Sequence, residues 1–231
     1  MSEYRHEYKY ICSQQQLICI KNRIEPYMGL DINAGENGSY TIRSLYFDDY
    51  KNTCYYDNLS GVDLREKFRI RIYNADSSYI RLELKQKRHG MTRKLSCPIN
   101  AGLCRKLARG EIVAMNEMDE PLYRKLFIEQ STRLLKPKII VEYDRVPYVY
   151  RDGNVRVTFD TNIRSSVDIE SFFEKRITKR PVMETGYHVL EIKFDEWIPD
   201  FIHHAIQMDK LHQTAYSKYC LCRKYNLRGV I

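Results

Sequence analysis

The chain has 231 residues, of which 43% are hydrophobic and 29% charged, and its formal net charge is +8. This length and composition predict one soluble domain with a sizeable core. No run of eighteen apolar residues could form a membrane-spanning helix, and the first residues lack an apolar signal segment, which favours the cytoplasm. The positive charge predicts an anionic partner, for which nucleic acid, phosphorylated small molecules and anionic membranes all qualify.

Seven cysteines are scattered along the chain, and none forms a Cys-x-x-Cys pair. This spacing predicts reduced thiols and excludes the common zinc motifs. His203 and His204 have no third ligand at a useful spacing, so the sequence places them on a surface helix. His6 lies on the aromatic face of its strand and is predicted to be packed there.

The first half of the chain predicts mostly strands. Residues 3–11 alternate between charged and aromatic side chains, as a strand does. Ser13 and Gln16 have the spacing of a capping box, which predicts a helix over residues 14–27 that ends at Gly29. Asp48 and Asp49 are predicted to turn the chain, with a second metal role left open. Further strands are predicted over residues 41–48, 66–73, 79–87 and 92–98, with a short uncertain segment at 55–58.

The second half mixes helices and strands. Helical patterns cover residues 100–109 and 117–133, and Pro137 interrupts the chain before the next strand. The last two helices are predicted over residues 197–207 and 210–225. Strands are predicted over residues 138–150, 154–160 and 188–195. The fold class is therefore α+β, dominated by antiparallel strands.

The strands carry charged faces of an unusual kind. For a single strand, such a face is equally well explained as the solvent-exposed face of a sheet. Here, however, acids and bases share one face of one strand, as Glu83 and Lys85 do, or Glu191 and Lys193. Several helices also need an apolar sheet face to cover. A sheet that curls shut beneath those helices places the charged faces inside a barrel.

The predicted inner faces contain ten basic and seven acidic residues over strand positions 5–9, 67–71, 81–87, 142–144, 156–160 and 191–195. Charges in a confined interior are costly unless they are paired or liganded. A polyanion with a divalent cation would balance them, because bases contact phosphate oxygens and carboxylates hold Mg²⁺ or Mn²⁺.

An ordered set of short motifs then resembles a known family. The sequence resembles the catalytic domain of vacuolar transporter chaperone (VTC) polyphosphate polymerases, which belong to the triphosphate tunnel metalloenzyme (CYTH-like) superfamily. The resemblance covers nearly the whole chain. The motifs are residues 5–10, Arg43-Ser-Leu-Tyr-Phe-Asp-Asp49, Arg69-Ile-Arg71-Ile-Tyr73, Leu82-Glu-Leu-Lys85, residues 138–148, Val155-Arg-Val-Thr-Phe-Asp160, Val189-Leu-Glu-Ile-Lys193 and Tyr216-Ser-Lys-Tyr219.

The resemblance implies an eight-stranded antiparallel β tunnel, closed as a barrel, with helices packed outside. It implies that one domain over residues 1–231 acts as an ATP-dependent polyphosphate polymerase. Catalytic phosphate contacts are implied for Arg69, Arg71, Lys85, Arg156, Lys193 and Lys218. Further phosphate-binding bases are implied at Lys9, Lys67, Arg43 and Lys94. Glu191 matches the metal-binding carboxylate for Mn²⁺ or Mg²⁺, with Glu83, Glu142 and Glu7 as auxiliary acids.

One departure from the superfamily bears on activity. Classical members begin with Glu-x-Glu-x-Lys, whereas this chain has Arg5-His-Glu7-Tyr-Lys9. Replacing the first acid by a base removes one possible metal ligand. This difference favours the polymerase branch of the superfamily.

Other functions stay open at this stage. A hydrolase of inorganic or nucleoside triphosphate needs nearly the same site, and a non-enzymatic polyphosphate-binding module needs only its bases. A nucleic-acid binder is least favoured, because the bases alternate with acids and no helix-turn-helix or RNA-recognition motif is present. The expected partners are therefore a nucleoside triphosphate and inorganic polyphosphate, and a membrane-protein partner is left open. The tyrosine-rich strand faces are predicted to pack between barrel and helices, with base stacking as the alternative.

Overall fold

A computed structural model describes residues 4–114, 119–208 and 211–227 of the chain. The strands are β1 (His6–Ser13), β2 (Gly29–Leu30), β3 (Tyr40–Asp48), β4 (Arg65–Tyr73), β5 (Asp76–Arg88), β6 (Met91–Pro98), β7 (Lys136–Tyr150), β8 (Val155–Ser166), β9 (Arg180–Pro181) and β10 (Tyr187–Phe194). The helices are α1 (Gln14–Ile24), α2 (Thr53–Leu59), α3 (Ala101–Ala108), α4 (Pro121–Arg133), α5 (Asp200–Ile206) and α6 (Lys218–Leu227).

Eight strands form one antiparallel sheet in the order β1-β10-β8-β7-β3-β4-β5-β6, and the short β2 and β9 pair with β7 and β8. The sheet curls so that its two edge strands approach each other. Among the described residues, these edges are joined by a single bridge, in which Arg5 and Thr92 exchange two backbone hydrogen bonds. The predicted α+β class and antiparallel sheet are therefore confirmed, but the sheet forms a half-barrel and not the closed barrel that was predicted.

Helices cover the outer, apolar face of the sheet in two clusters. On β4 and β5, Ile70 and Leu82 pack against Leu103 of α3 and Leu126 of α4. On β8 and β10, the apolar residues pack against α1 and α5, where Ile20 and Ile202 are buried. Since side chains of a strand alternate between its faces, this arrangement leaves the charged residues of the same strands on the inner face.

Helix α6 lies on the inner face. Its residue Tyr219 packs with Ile42 of β3 and Tyr143 of β7, two residues that also line the interior cavity. The buried carboxylate of Asp48 holds this helix and α2 together. It accepts hydrogen bonds from the Tyr219 hydroxyl and from the backbone N–H groups of Cys54 and Tyr55. Asp48 and Asp49 thus lie at the predicted turn. Their carboxylates also accept hydrogen bonds from the first backbone N–H groups of α2.

Most predicted elements are confirmed. The capping box of Ser13 and Gln16 is present, although α1 ends at Ile24, before the predicted residue 27. His6 stacks on Phe194 at 4.9 Å, as its packed position predicted. All seven cysteines are free thiols. His203 and His204 lie exposed on α5. No helix in the described residues is long and apolar enough to cross a membrane.

Several elements differ from the prediction in type or boundary. The uncertain segment 55–58 belongs to α2, and β8 continues past residue 160 to Ser166. Helix α4 begins at Pro121; residues 117 and 118 of its predicted range lie outside the described residues. Residues 211–217 are not helical, so α6 begins at Lys218, and predicted residue 210 lies outside the described residues. Pro137 does not precede β7 but lies within it, beside an irregularity in the pairing of β7 with β3.

Gly153 joins β7 to β8 and offers a test of this packing. Its φ is +71°, and an added Cβ would lie 2.6 Å from the backbone oxygen of Trp197. Gly61 has nearly the same φ, +70°, but open space around it. Gly61→Ala should therefore cost about 1 kcal/mol of unfolding free energy from the left-handed backbone alone, and Gly153→Ala about 1–3 kcal/mol more from the steric clash.

Urea unfolding of the two variants measures this difference. Equal losses of stability in both would show that the contact between Gly153 and Trp197 is not tight.

Candidate functional site

The inner face of the sheet encloses a cavity of about 310 Å³. Among the described residues that line it, fourteen are Lys or Arg and two are Glu. So strong an excess of cations in a confined space is unfavourable by itself, because like charges repel and burial removes water. The basic lining residues are Arg5, Lys9, Arg65, Lys67, Arg69, Arg71, Lys85, Lys87, Arg93, Lys94, Arg145, Arg156, Lys193 and Lys218.

A first charged group is built on β4, β5 and β6. Nε and Nη2 of Arg69 both lie 2.7 Å from Oε2 of Glu83, and Nζ of Lys94 lies 3.2 Å from Oε1. Arg71 is the third cation near this carboxylate, at 3.7 Å. Burial raises the pKa of Glu83, but the charges of Arg71 and Arg69 outweigh it and hold that pKa well below its ordinary value. Glu83 is therefore an ionised counter-charge lying behind the two arginines.

A second group lies where β1 and β10 pair. Glu7 accepts from Lys85 at 2.7 Å and lies 3.3 Å from Lys9, while Glu191 lies 2.6 Å from Lys193. Burial raises the pKa of Glu7, yet Lys85 and Lys9 lower it overall to about 2. Both lining carboxylates are therefore ionised at neutral pH and engaged by ammonium groups.

A third group connects β7, β8 and α6. Arg145 donates from Nε and Nη2 to both oxygens of Asp160 at 2.6 and 2.7 Å. Nζ of Lys218, the first residue of α6, lies 2.6 Å from Asp160 and 3.5 Å from Glu191. Despite the opposing effect of burial, the carboxylates of Asp160 and Glu191 raise the pKa of Lys218. This ion pairing fixes the beginning of α6 against the cavity.

Lys67 differs from these cations. Its Nζ donates to the neutral side chains of Asn58 at 3.0 Å and Ser217 at 3.3 Å. Within the described part of the chain it has no carboxylate ion-pair partner. Burial lowers the pKa of Lys67. It also lowers the pKa of Lys85 and Lys94, although each of these lies beside a carboxylate. A bound anion would reverse that shift, because a negative charge favours the protonated amine.

The structure brings most of the predicted site residues together. Arg156 lies at the rim, where its side chain is 44% exposed and pairs with Asp31 at 2.9 Å. Glu83 does not line the cavity but supports the residues that do. The predicted bases and acids that line the cavity are Arg69, Arg71, Lys85, Lys193, Lys218, Lys9, Lys67, Lys94, Arg156, Glu191 and Glu7.

Arg43 and Glu142 are corrections to the predicted tunnel lining. They pair with each other at 2.7 Å, nearly fully buried, on the outer face of β3 and β7. Arg43 also donates to the backbone oxygens of Phe172 and Glu174. The reason is that α6 packs against Ile42 of β3 and Tyr143 of β7 on the inner face, so Arg43 and Glu142, each one position away, point outward. The pair anchors the 170–174 segment instead of meeting a ligand.

Arg145 and Asp160 are two site residues that sequence reasoning did not single out. Arg145 shares the inner face with Tyr143, two positions before it, whereas the prediction took Glu142 and Asp144 as the inner residues. The alternation of β7 therefore did place Arg145 and Glu142 on opposite faces. The prediction took the face with Glu142 as the inner one, whereas the inner face is the one with Arg145. Asp160 was counted in the charged face of β8 without a role of its own.

The predicted four-acid metal site is not assembled. Glu142 is on the outer face, and Glu83 is occupied by Arg69 and Lys94. The described residues contain no cluster of three His, Cys, Asp or Glu side chains suited to a metal ion. Among the described residues, Glu7 and Glu191 are the acids that line the cavity. They fit an ion such as Mg²⁺ that takes one or two carboxylates and completes its shell with phosphate oxygens and water.

The fold and cavity together define a class: a tunnel-like α+β domain with an interior suited to anions. The VTC domain family model matches residues 4–226, and the chain belongs to that family. The resemblance drawn from the sequence motifs is therefore confirmed.

Two solved structures are similar to this chain at low identity. The Hippeastrum protein HpAC1, described as having a dominant triphosphatase activity, is 13% identical, with a TM-score of 0.57 over 97% of this chain and 96% of that one. The PH1819 protein of Pyrococcus horikoshii is also 13% identical, with a TM-score of 0.49 over 96% and 99%. The search of curated proteins gives no match.

The lowered pKa of Lys67 predicts coupled proton uptake. Binding of inorganic triphosphate at alkaline pH should take up protons, because phosphate oxygens raise the pKa that burial has lowered. Affinity should fall as pH rises through this range, since deprotonated lysine must be recharged. Calorimetry in two buffers of different ionisation enthalpy gives the number of protons.

Lys67→Met should reduce that uptake, whereas Lys175→Met, at an exposed position outside the cavity, should not. The protonation of the ligand itself cancels in this comparison. Equal uptake in both variants would contradict the assignment to Lys67.

Proposed function

We propose that this protein transfers phosphoryl groups from a nucleoside triphosphate to a growing inorganic polyphosphate chain inside the tunnel. The observation that carries the proposal is the cavity lining, where fourteen bases face two acids in the part of the chain that the structure describes. Only a ligand with several negative charges balances such an interior. A polyphosphate chain carries negative charge along its whole length. Membership of the VTC domain family supports polyphosphate as the ligand.

The arginines suit the transferred phosphoryl group. Arg69 and Arg71 are buried, and Glu83 already orients them, so little side-chain entropy is lost when phosphate oxygens arrive. Their planar forks can contact two oxygens at once. Donors held in place before the reaction stabilise the charge that spreads over the equatorial oxygens of the transition state.

The proposed reaction needs no protein nucleophile. An oxygen of the terminal phosphate of the acceptor chain forms a bond to the γ-phosphorus of the donor. The bond from that phosphorus to the bridging oxygen breaks, and nucleoside diphosphate leaves with the electron pair. Lys85, Lys193 and Lys218 lie near Glu7 and Glu191, where they can neutralise acceptor and donor oxygens and hold them in line.

Glu7 and Glu191 are the residues that would hold a divalent cation together with substrate phosphates. When bound, such an ion neutralises phosphate oxygens and polarises the phosphorus for attack. Ionised carboxylates fit this role, and both pKa values lie below the ordinary range. Without the substrate, these acids are paired with Lys85 and Lys193. We therefore expect the ion to enter with the phosphates.

A triphosphatase is the second candidate. The HpAC1 structure shares the fold and is described as having a dominant triphosphatase activity. The same cavity would perform hydrolysis if water replaced the acceptor phosphate. Positioning of the acceptor therefore decides between the two reactions.

A product assay separates these functions. Purified protein is incubated with ATP and Mn²⁺ or Mg²⁺, and separately with inorganic triphosphate, and products are resolved by gel electrophoresis and ³¹P NMR. Chains longer than the donor should appear from ATP. Orthophosphate as the sole new product would replace the polymerase proposal with hydrolysis. Tight polyphosphate binding without turnover would replace it with a binding module.

Glu191→Gln tests the acid role directly. Turnover should fall at least about 100-fold, because the variant loses a charged ligand needed in the transition state. Metal-free binding of inorganic triphosphate should persist or tighten, because one negative charge leaves the cavity. Glu184→Gln removes the same charge at an exposed position outside the cavity and should leave both unchanged. Activity of Glu191→Gln within twofold of the natural protein would refute the role.

A further inference from the structure

Three neighbouring strands each present a tyrosine on the inner face at the same end. They are Tyr40 on β3, Tyr73 on β4 and Tyr79 on β5. The ring of Tyr73 lies 5.5 Å from that of Tyr40 and 5.9 Å from that of Tyr79, in edge-on and tilted arrangements. Tyr40 and Tyr73 line the cavity and are half-buried, whereas Tyr79 is 55% exposed. The three rings form a continuous aromatic surface from the cavity lining to solvent.

Tyrosines such as Tyr8 and Tyr148 pack in the core cluster that includes α1 and α5. Tyr40 and Tyr73 pack in part against the cluster that includes α6, but they also line the cavity. Tyr73 and Tyr79 lie on the opposite face, because they share a face with Arg71 and Arg81 of their own strands. No hydrogen bond within the described residues holds the hydroxyls of Tyr73 and Tyr79. Half-exposed, stackable rings beside a polar cavity are typical of a site for a planar ligand.

The surface joins the phosphate-binding region directly. Arg71 precedes Tyr73 by two residues, a distance of about 7 Å along a strand. On the other side, Arg145 is the register partner of Tyr40 in the pairing of β3 with β7. A ligand with a planar group on the tyrosines would therefore place an attached chain of phosphates at these arginines.

We propose that Tyr73 and Tyr79, supported by Tyr40, bind the nucleobase of the nucleoside triphosphate donor by stacking. This inference rests on the proposed function, which makes a nucleotide the donor, and adds where its base lies. Each base has a π-face, so stacking accepts all four common bases. The site therefore selects for the presence of a base, not for its identity, and orients the triphosphate with its γ-phosphate deepest in the cavity.

The test compares two ligands that differ by the nucleoside. Affinities for ATP and for inorganic triphosphate are measured by calorimetry on the natural protein, Tyr73→Ala, Tyr79→Ala and Tyr73→Phe. Tyr27→Ala is the matched control, because Tyr27 is 59% exposed and contacts Phe201 at 5.2 Å, outside the cavity. We expect each alanine variant to weaken ATP binding by about tenfold, the usual effect of losing one stacking ring.

Binding of inorganic triphosphate should change less than twofold in the same variants, and Tyr73→Phe should retain ATP affinity. Equal weakening of both ligands would assign the tyrosines a structural role and overturn the proposal, as would ATP affinity unchanged in both alanine variants. If the natural protein binds inorganic triphosphate no better than sulfate, the proposed function itself fails. Normal triphosphate binding with no effect of the tyrosines would refute only the base site.

Discussion

The structure depends on the pairing of buried charge. The fourteen bases that line the cavity among the described residues would drive the strands apart if those charges met only each other. Four carboxylates prevent this: Glu7, Glu83, Asp160 and Glu191 each contact two or more bases. Each carboxylate has a pKa below its ordinary value, so all stay ionised. They orient the cations but do not cancel them, and the surplus positive charge is left for a ligand.

The same pairing links fold and site. Strand periodicity alone separates an apolar outer face, covered by helices, from a charged inner face. Helix α6 then limits the cavity, since its first residue pairs with Asp160 and its Tyr219 donates to the buried Asp48. Lys218 therefore belongs both to the ion pairs that hold α6 and to the lining of the cavity.

Sequence reasoning succeeded where alternation was unambiguous. On β4 and β10, each charged residue named as inward lines the cavity, including Arg69 and Glu191. It failed on β3 and β7, where Arg43 and Glu142 were placed inside but lie on the outer face. A strand pattern gives two faces without saying which one is inner. Here α6 inverts the usual assignment, because a helix inside the half-barrel needs apolar contacts there.

The sequence by itself determined the strands, the charged and apolar faces, the capped first helix and the excess of positive charge, because these depend on local periodicity and composition. The tertiary structure decided which charges meet. The bidentate pair of Arg145 and Asp160, the neutral partners of Lys67 and the incomplete closure at Arg5 and Thr92 all depend on register between distant strands. Register is a property of two segments and of what packs between them, so no single segment encodes it.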